Sequence, residues 1–158
     1  MEFFTLGVYN SAEEEYFGKI ISANIDVFCD IRQRRGVRGA KYAFVNSKRL
    51  QDRLAKLNVE YLHEIQLAPT SEIRDLQKEA DLQQKELKRD RSKLGSVFTL
   101  AFKDRILNEF NFEAFIHNLE KINAKRIILF CVEEKPEACH RGIVTNKLEK
   151  LGYKITHL

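Results

Sequence analysis

A chain of 158 residues with 44% hydrophobic content fits one domain with a core of its own, which excludes a long multidomain architecture. A formal net charge of +4 permits an anionic partner but is too small to identify a nucleic-acid coat or a polybasic membrane anchor. No leader-like segment opens the sequence, and no apolar run reaches the ~18 residues of a membrane span. The expected setting is therefore cytoplasmic, with no membrane partner and with Cys29, Cys131 and Cys139 as reduced thiols.

The elements follow in chain order. Phe3–Tyr9 is apolar, aromatic and β-branched and reads as a first strand. Ser11 and Glu14 have the spacing of a capping box, predicting a helix with Tyr16, Ile20 and Ala23 on its buried face. Ile25–Ile31 is a second buried strand, and strand–helix–strand implies parallel pairing. The next ten residues, Arg32–Lys41, carry five basic side chains and two glycines. Placed at a strand's C-terminal end, Arg32, Arg34, Arg35 and Arg38 are candidates for binding a phosphate or a nucleic-acid backbone. The alternative is a solvated loop that merely carries charge.

Asn46 or Ser47 can cap a second helix with Leu50, Leu54 and Leu57 as its apolar stripe, before a short third strand, Val59–His63. His63 ends that strand, where a ligand would lie. Residues 70–94 form a charged helical excursion with Ile73, Ala80, Leu87 and Leu94 at intervals of seven. It is expected to lie exposed over the domain, with a dimer contact or a lid as alternatives. Gly95 breaks the pattern, and helical pieces follow near Thr99–Asn108 and Phe112–Asn123, the second capped by Asn111. Arg126–Val132 is the most apolar strand and should be central. A last helix buries Val144, Leu148 and Leu151 and stops at Gly152, and a fifth strand closes the chain. The expected fold is one three-layer, Rossmann-like α/β domain over residues 1–158, with a mainly parallel sheet of about five strands.

The loop Cys131–Arg141, CVEEKPEACHR, concentrates the chemistry: a carboxylate, two thiols, an imidazole and a guanidinium within eleven residues. Strand-end loops of parallel sheets open onto ligand crevices. Pro136 is suited to a helix's first turn, which puts Cys139, His140 and Arg141 near a helix N-terminus, where anions and thiolates are favoured. Three chemistries are open, beside a structural alternative in which both cysteines are small buried packers and Arg141 pairs with Glu133 or Asp30 to fix the loop. In the first, Arg32 and Arg141 bind an anion while Glu133 or His140 moves a proton. In the second, Cys131 or Cys139 acts as a thiol nucleophile or redox pair. In the third, Cys131, Cys139 and His140 bind a metal with Cys29 or His63; Cys-x-x-Cys spacing is absent, so no metal and no cofactor is assigned. A phosphatase-type loop needs arginine six residues after its cysteine, and position 137 is Glu. No Gly-rich dinucleotide or Walker pattern is present.

Cys131, Glu133, Pro136, Cys139, His140 and Arg141 spell C-x-E-x-x-P-x-x-C-H-R, which resembles the signature of domain-of-unknown-function family 488. Thr5-Leu-Gly7, Asp30-Ile-Arg32, Tyr61-Leu-His63 and Ile155-Thr-His157 are similar to that family's strand motifs, in the same order. The resemblance implies a compact parallel α/β domain without an assigned activity, and a shared site built from Arg32, Glu133, His140 and Arg141. For these to meet, the second and fourth strands must be neighbours. The leading expectation is a pocket for a phosphate-bearing ligand, either a nucleotide or a nucleic-acid end, in a monomer or homodimer. Hydrolase-type chemistry by Glu133 and His140 extends it, and whether the protein is an enzyme stays open. A non-enzymatic nucleic-acid-binding module and a thiol or metal protein are the rival classes.

Overall fold

After the first, each short apolar run becomes a strand where a left-handed residue turns the chain out of the helix before it. Asn24, Asn58 and Asn123 (φ 47°, 56° and 56°) and Gly152 (φ 93°) follow the helix ends. In a computed structural model, which describes residues 1–88 and 90–158, the strands are β1 (Glu2–Leu6), β2 (Val27–Asp30), β3 (Glu60–His63), β4 (Arg126–Phe130) and β5 (Lys154–His157). They form one parallel sheet in the order β3-β2-β4-β1-β5. β4 is central, as its apolarity predicts, and β2 is its direct neighbour, with Asp30 opposite Phe130.

Side chains alternate across the sheet, so each strand feeds two cores. Phe4, Phe28, Ile128 and Phe130 pack under α1 (Glu13–Ser22) and α2 (Ser47–Lys56), against Tyr16, Phe17, Ile20, Leu50 and Leu54. Phe3, Cys29, Ile127 and Leu129 face the other layer. That layer comprises α3 (Ser71–Gln84), α4 (Ser96–Phe102), α5 (Phe112–Lys121) and α6 (His140–Lys150). This is a three-layer α/β fold, in agreement with the sequence. No helix among the described residues is long and apolar enough to cross a membrane.

Several local expectations change. Ala12, not Ser11, precedes α1, and no side chain caps that helix. Asn46 precedes α2, but its Oδ1 accepts from Val37 N (2.6 Å) and so holds the basic loop instead of the helix end. The charged helix is shorter than residues 70–94. Thr70 caps α3 by accepting from Ile73 N, and the helix stops where Lys85 turns left-handed (φ 54°), just where Gln83 interrupts the apolar seam. The following residues return toward the sheet, bringing buried Arg91 with them. Leu151 is half exposed rather than core, because α6 ends there.

Candidate functional site

The strand order puts the β2 and β4 exits side by side, and Asp30, Arg32, Glu133, His140 and Arg141, all buried, come from these two exits. After β2, Asp30 is fully buried and Arg32 nearly so. Asp30 Oδ1 accepts from Arg32 N (3.1 Å) and Nε (2.8 Å), and Oδ2 accepts from Arg32 Nη2 (2.7 Å) and the Tyr61 hydroxyl (2.9 Å). Arg32 also donates to Val45 O (3.0 Å), and its guanidinium lies over the Phe130 ring. Burial opposes the charge on Arg32, but Asp30 offsets this and raises its pKa further. Burial and Asp30 together push the Tyr61 phenol up to about 12.

After β4, the loop is fixed from three sides. Val8 N and Tyr9 N both donate to Val132 O. Gly7 lies against the loop so closely that a Cβ there would overlap Glu133 O, and a Cβ on Gly142 would overlap Pro136 O. Arg141, only 1% exposed, reaches back from α6 and donates to the carbonyls of Glu133 and Glu134. Pro136–Ala138 form a single 3₁₀ turn, and Cys139, in extended backbone, precedes α6. His140 therefore starts the helix and points under β2, where its Nε2 lies 3.0 Å from Ile31 O. A carbonyl only accepts, so Nε2 carries the proton and Nδ1 faces the sulfurs. The imidazole also packs on Phe102, with ring centroids 5.5 Å apart.

Glu133 is buried and occupied. Its Oε1 pairs with Lys88 Nζ (3.2 Å) and Arg91 Nη2 (3.3 Å), and its Oε2 accepts from Cys131 Sγ (3.2 Å). Arg91 also donates to Ala138 O and to Asp81 Oδ2, tying α3 to the loop. Burial raises both loop thiols. For Cys139, the hydrogen bond from Cys131 together with His140 and Arg141 outweighs burial and holds it well below the ordinary thiol range. Cys131 stays well above that range, from burial and then from Cys139 and Glu133. Burial works against a charged His140, yet Cys139, Glu133 and the Ile31 carbonyl raise its pKa. The arrangement sets a thiol whose pKa is lowered beside an imidazole whose pKa is raised, each favouring the charged form of the other.

These groups open onto a cavity of about 850 Å³. Arg32, Glu133, His140, Cys131 and Cys139 all line it, as do Arg34 and Arg38 from the basic loop. Three expected members stand apart. Arg141 is a loop-holding residue: its guanidinium is spent on backbone carbonyls and does not line the cavity. His63 accepts no place there either; its Nε2 lies 2.9 Å from Arg32 O and braces the strand exits. Arg35 points away from the cavity toward Tyr61, while its carbonyl accepts from Ser47 N. Cys29 packs in the opposite core layer and takes no part. Sequence reasoning missed Arg91, Lys88, Arg74 and Asp81, because a charged helical pattern carries no sign of which charges fold inward. It also missed Tyr9 and Tyr42, which pair at the rim with ring centroids 5.4 Å apart.

The model of the family described as Domain of unknown function DUF488 matches residues 12–148, which span both strand exits and the whole key loop. The chain belongs to the DUF488 family. No curated protein and no solved structure gives a match. The DUF488 match covers the residues that build the cavity, apart from Tyr9 and Asn10 at its rim.

Proposed function

We propose that this DUF488 protein binds a phosphate-bearing ligand of mononucleotide size in the cavity at the β2 and β4 exits. The observation that carries the reading is charge. Among the described residues, eight Arg and Lys line the cavity against three Asp and Glu. Arg34, Arg38 and Lys41 come from the basic loop, Arg74 and Lys78 from α3, Lys88 and Arg91 from the segment after α3, and Arg32 from the strand exit. Such an excess in a concave, partly desolvated space favours an anion and strengthens each charge-assisted hydrogen bond to it. The volume is in the range of small-molecule sites, and Tyr9, Tyr42 and Phe98 offer faces for a base. Three free thiols suit a cytoplasmic, reducing setting.

Calorimetric titration of the protein with inorganic pyrophosphate and with a nucleoside monophosphate tests the reading. Arg34→Ala and Arg38→Ala should each weaken binding about tenfold, the size of one charged hydrogen bond. No saturable binding of either probe at millimolar concentration would sink the proposal. His140 and Glu133 extend it to acid–base chemistry on the ligand, with His140 as the proton donor, its pKa raised by Cys139 and then by Glu133. If Glu133→Gln turns over a phosphate ester as fast as the native chain, that extension is wrong.

The exposed cations of the basic loop favour one second reading, a nucleic-acid backbone laid across the rim. The two separate by salt. An oligonucleotide held by several phosphates loses orders of magnitude in affinity between about 50 and 200 mM salt. A ligand enclosed in the cavity loses far less.

A further inference from the structure

The two sulfurs and the imidazole do more than line the cavity. Cys131 Sγ, Cys139 Sγ and the ligand nitrogen of His140 all lie within 4.8 Å of one another, and all three side chains are buried. His140 Nδ1 is 3.8 Å from Cys131 Sγ and 3.7 Å from Cys139 Sγ. A tetrahedral zinc with Zn–S of ~2.3 Å and Zn–N of ~2.0 Å has sulfur–nitrogen edges of roughly 3.5 Å. Both sulfur–nitrogen edges thus come close to those of such a tetrahedron before any ion is placed there. The absence of Cys-x-x-Cys spacing is answered by the fold: the 3₁₀ turn at Pro136–Ala138 doubles the loop back, so residues eight apart meet.

Two independent features support a metal over a simple hydrogen-bonded cluster. The first is orientation. His140 Nε2 donates to Ile31 O at 3.0 Å, the outer contact that fixes a ligating imidazole and leaves its other nitrogen for the ion. The second is charge. Two thiolates neutralise a divalent cation, so the loaded site adds no net charge to a buried region. A pair of sulfurs with one imidazole is a donor set that zinc takes readily.

We propose that Cys131, Cys139 and His140 hold one zinc-class divalent cation whose fourth position faces the cavity. Three protein ligands with an open corner is the coordination of reactive rather than purely structural zinc. The open corner would accept an oxygen of the ligand or of water, with Glu133 standing beside Cys131. This inference rests on Cys131, Cys139 and His140 and the anion-binding reading on the cavity's Arg and Lys, so those two stand apart; a metal-bound His140 would, however, exclude the acid–base role given to it in the extension of that reading.

The test loads the full-length, reduced, metal-free protein with zinc or with cobalt. Native mass spectrometry counts the metal, and absorbance reads the cobalt. The expected result is one metal per chain, with sulfur-to-cobalt charge-transfer bands in the near ultraviolet and strong visible bands of a tetrahedral ion. Cys131→Ser and Cys139→Ser should each lower zinc affinity by at least about tenfold, with folding of each variant checked by circular dichroism. Arg34→Ala should bind the full complement of metal, which separates this result from failure of the anion site. Reduced, folded native protein that takes up no zinc at micromolar concentration would overturn the proposal. So would metal that remains bound after both cysteines are replaced.

Discussion

Replacing Asp30 with alanine should destabilise the protein by about 3–5 kcal/mol, the cost of leaving a buried charge without its partner. Asp30 is fully buried and accepts four hydrogen bonds, three of them from Arg32. Removing it leaves the nearly buried Arg32 guanidinium with Val45 O as its hydrogen-bond acceptor among the described residues, beside the face of Phe130. Domains of this size have about 5–15 kcal/mol of stability in total, so the variant should unfold at a far lower urea concentration. The effect belongs to the orphaned charge rather than to the lost bonds. Accordingly, Asp30→Ala combined with Arg32→Met should recover a large part of the loss. A single Asp30→Ala variant that unfolds within about 1 kcal/mol of the native chain would contradict the account of this pair.

Gly142→Ala should also be strongly destabilising, against the sign that helix propensity gives. Alanine in a helix interior is ordinarily better than glycine by about 1 kcal/mol. At position 142, however, the new Cβ meets Pro136 O and C, which are backbone atoms and cannot rotate away. The 3₁₀ turn would have to part from α6, carrying Cys139 and His140 out of register. Overpacking of this kind costs about 1–3 kcal/mol, and here it acts on the site itself, so ligand or metal binding should fall with stability. Gly18→Ala in α1 is the control: nothing lies within 4 Å of its Cβ, and stability should rise by about 0.5–1 kcal/mol. Thermal or urea unfolding of the two variants reads both signs. If Gly142→Ala gains stability as Gly18→Ala does, the loop is not clamped as described.

The fold was legible because its signals are local and strong. β4 reads as central from its unbroken apolar run, and it pairs on both sides. The neighbourhood of β2 and β4 followed from asking how Arg32 and Glu133 could share a site, and the sheet brings them to one cavity. Roles within the site were less legible. Arg141 carries the chemistry of an anion clamp, but its position one residue into α6 aims it at the loop's own carbonyls. Glu133 reads as a free carboxylate until Arg91 and Lys88 arrive from a segment whose charge pattern gives no direction. Heptad spacing carried the expected charged helix past Gln84, where a left-handed Lys85 ends it; a period describes which face is apolar, not where capping stops the helix. Gly7 and Gly142 are the quietest of all, because a close backbone approach leaves no mark on composition or periodicity.

The most direct test of the account is a backbone-amide NMR titration of the full-length protein with inorganic pyrophosphate. Saturable shifts are expected at the two strand exits, Arg32–Lys41 and Cys131–His140, with Arg74 and Arg91 joining them and α5 unmoved. Shifts that fail to saturate, or that gather on α5 and β5 away from the cavity, would contradict an anion site at the β2 and β4 exits.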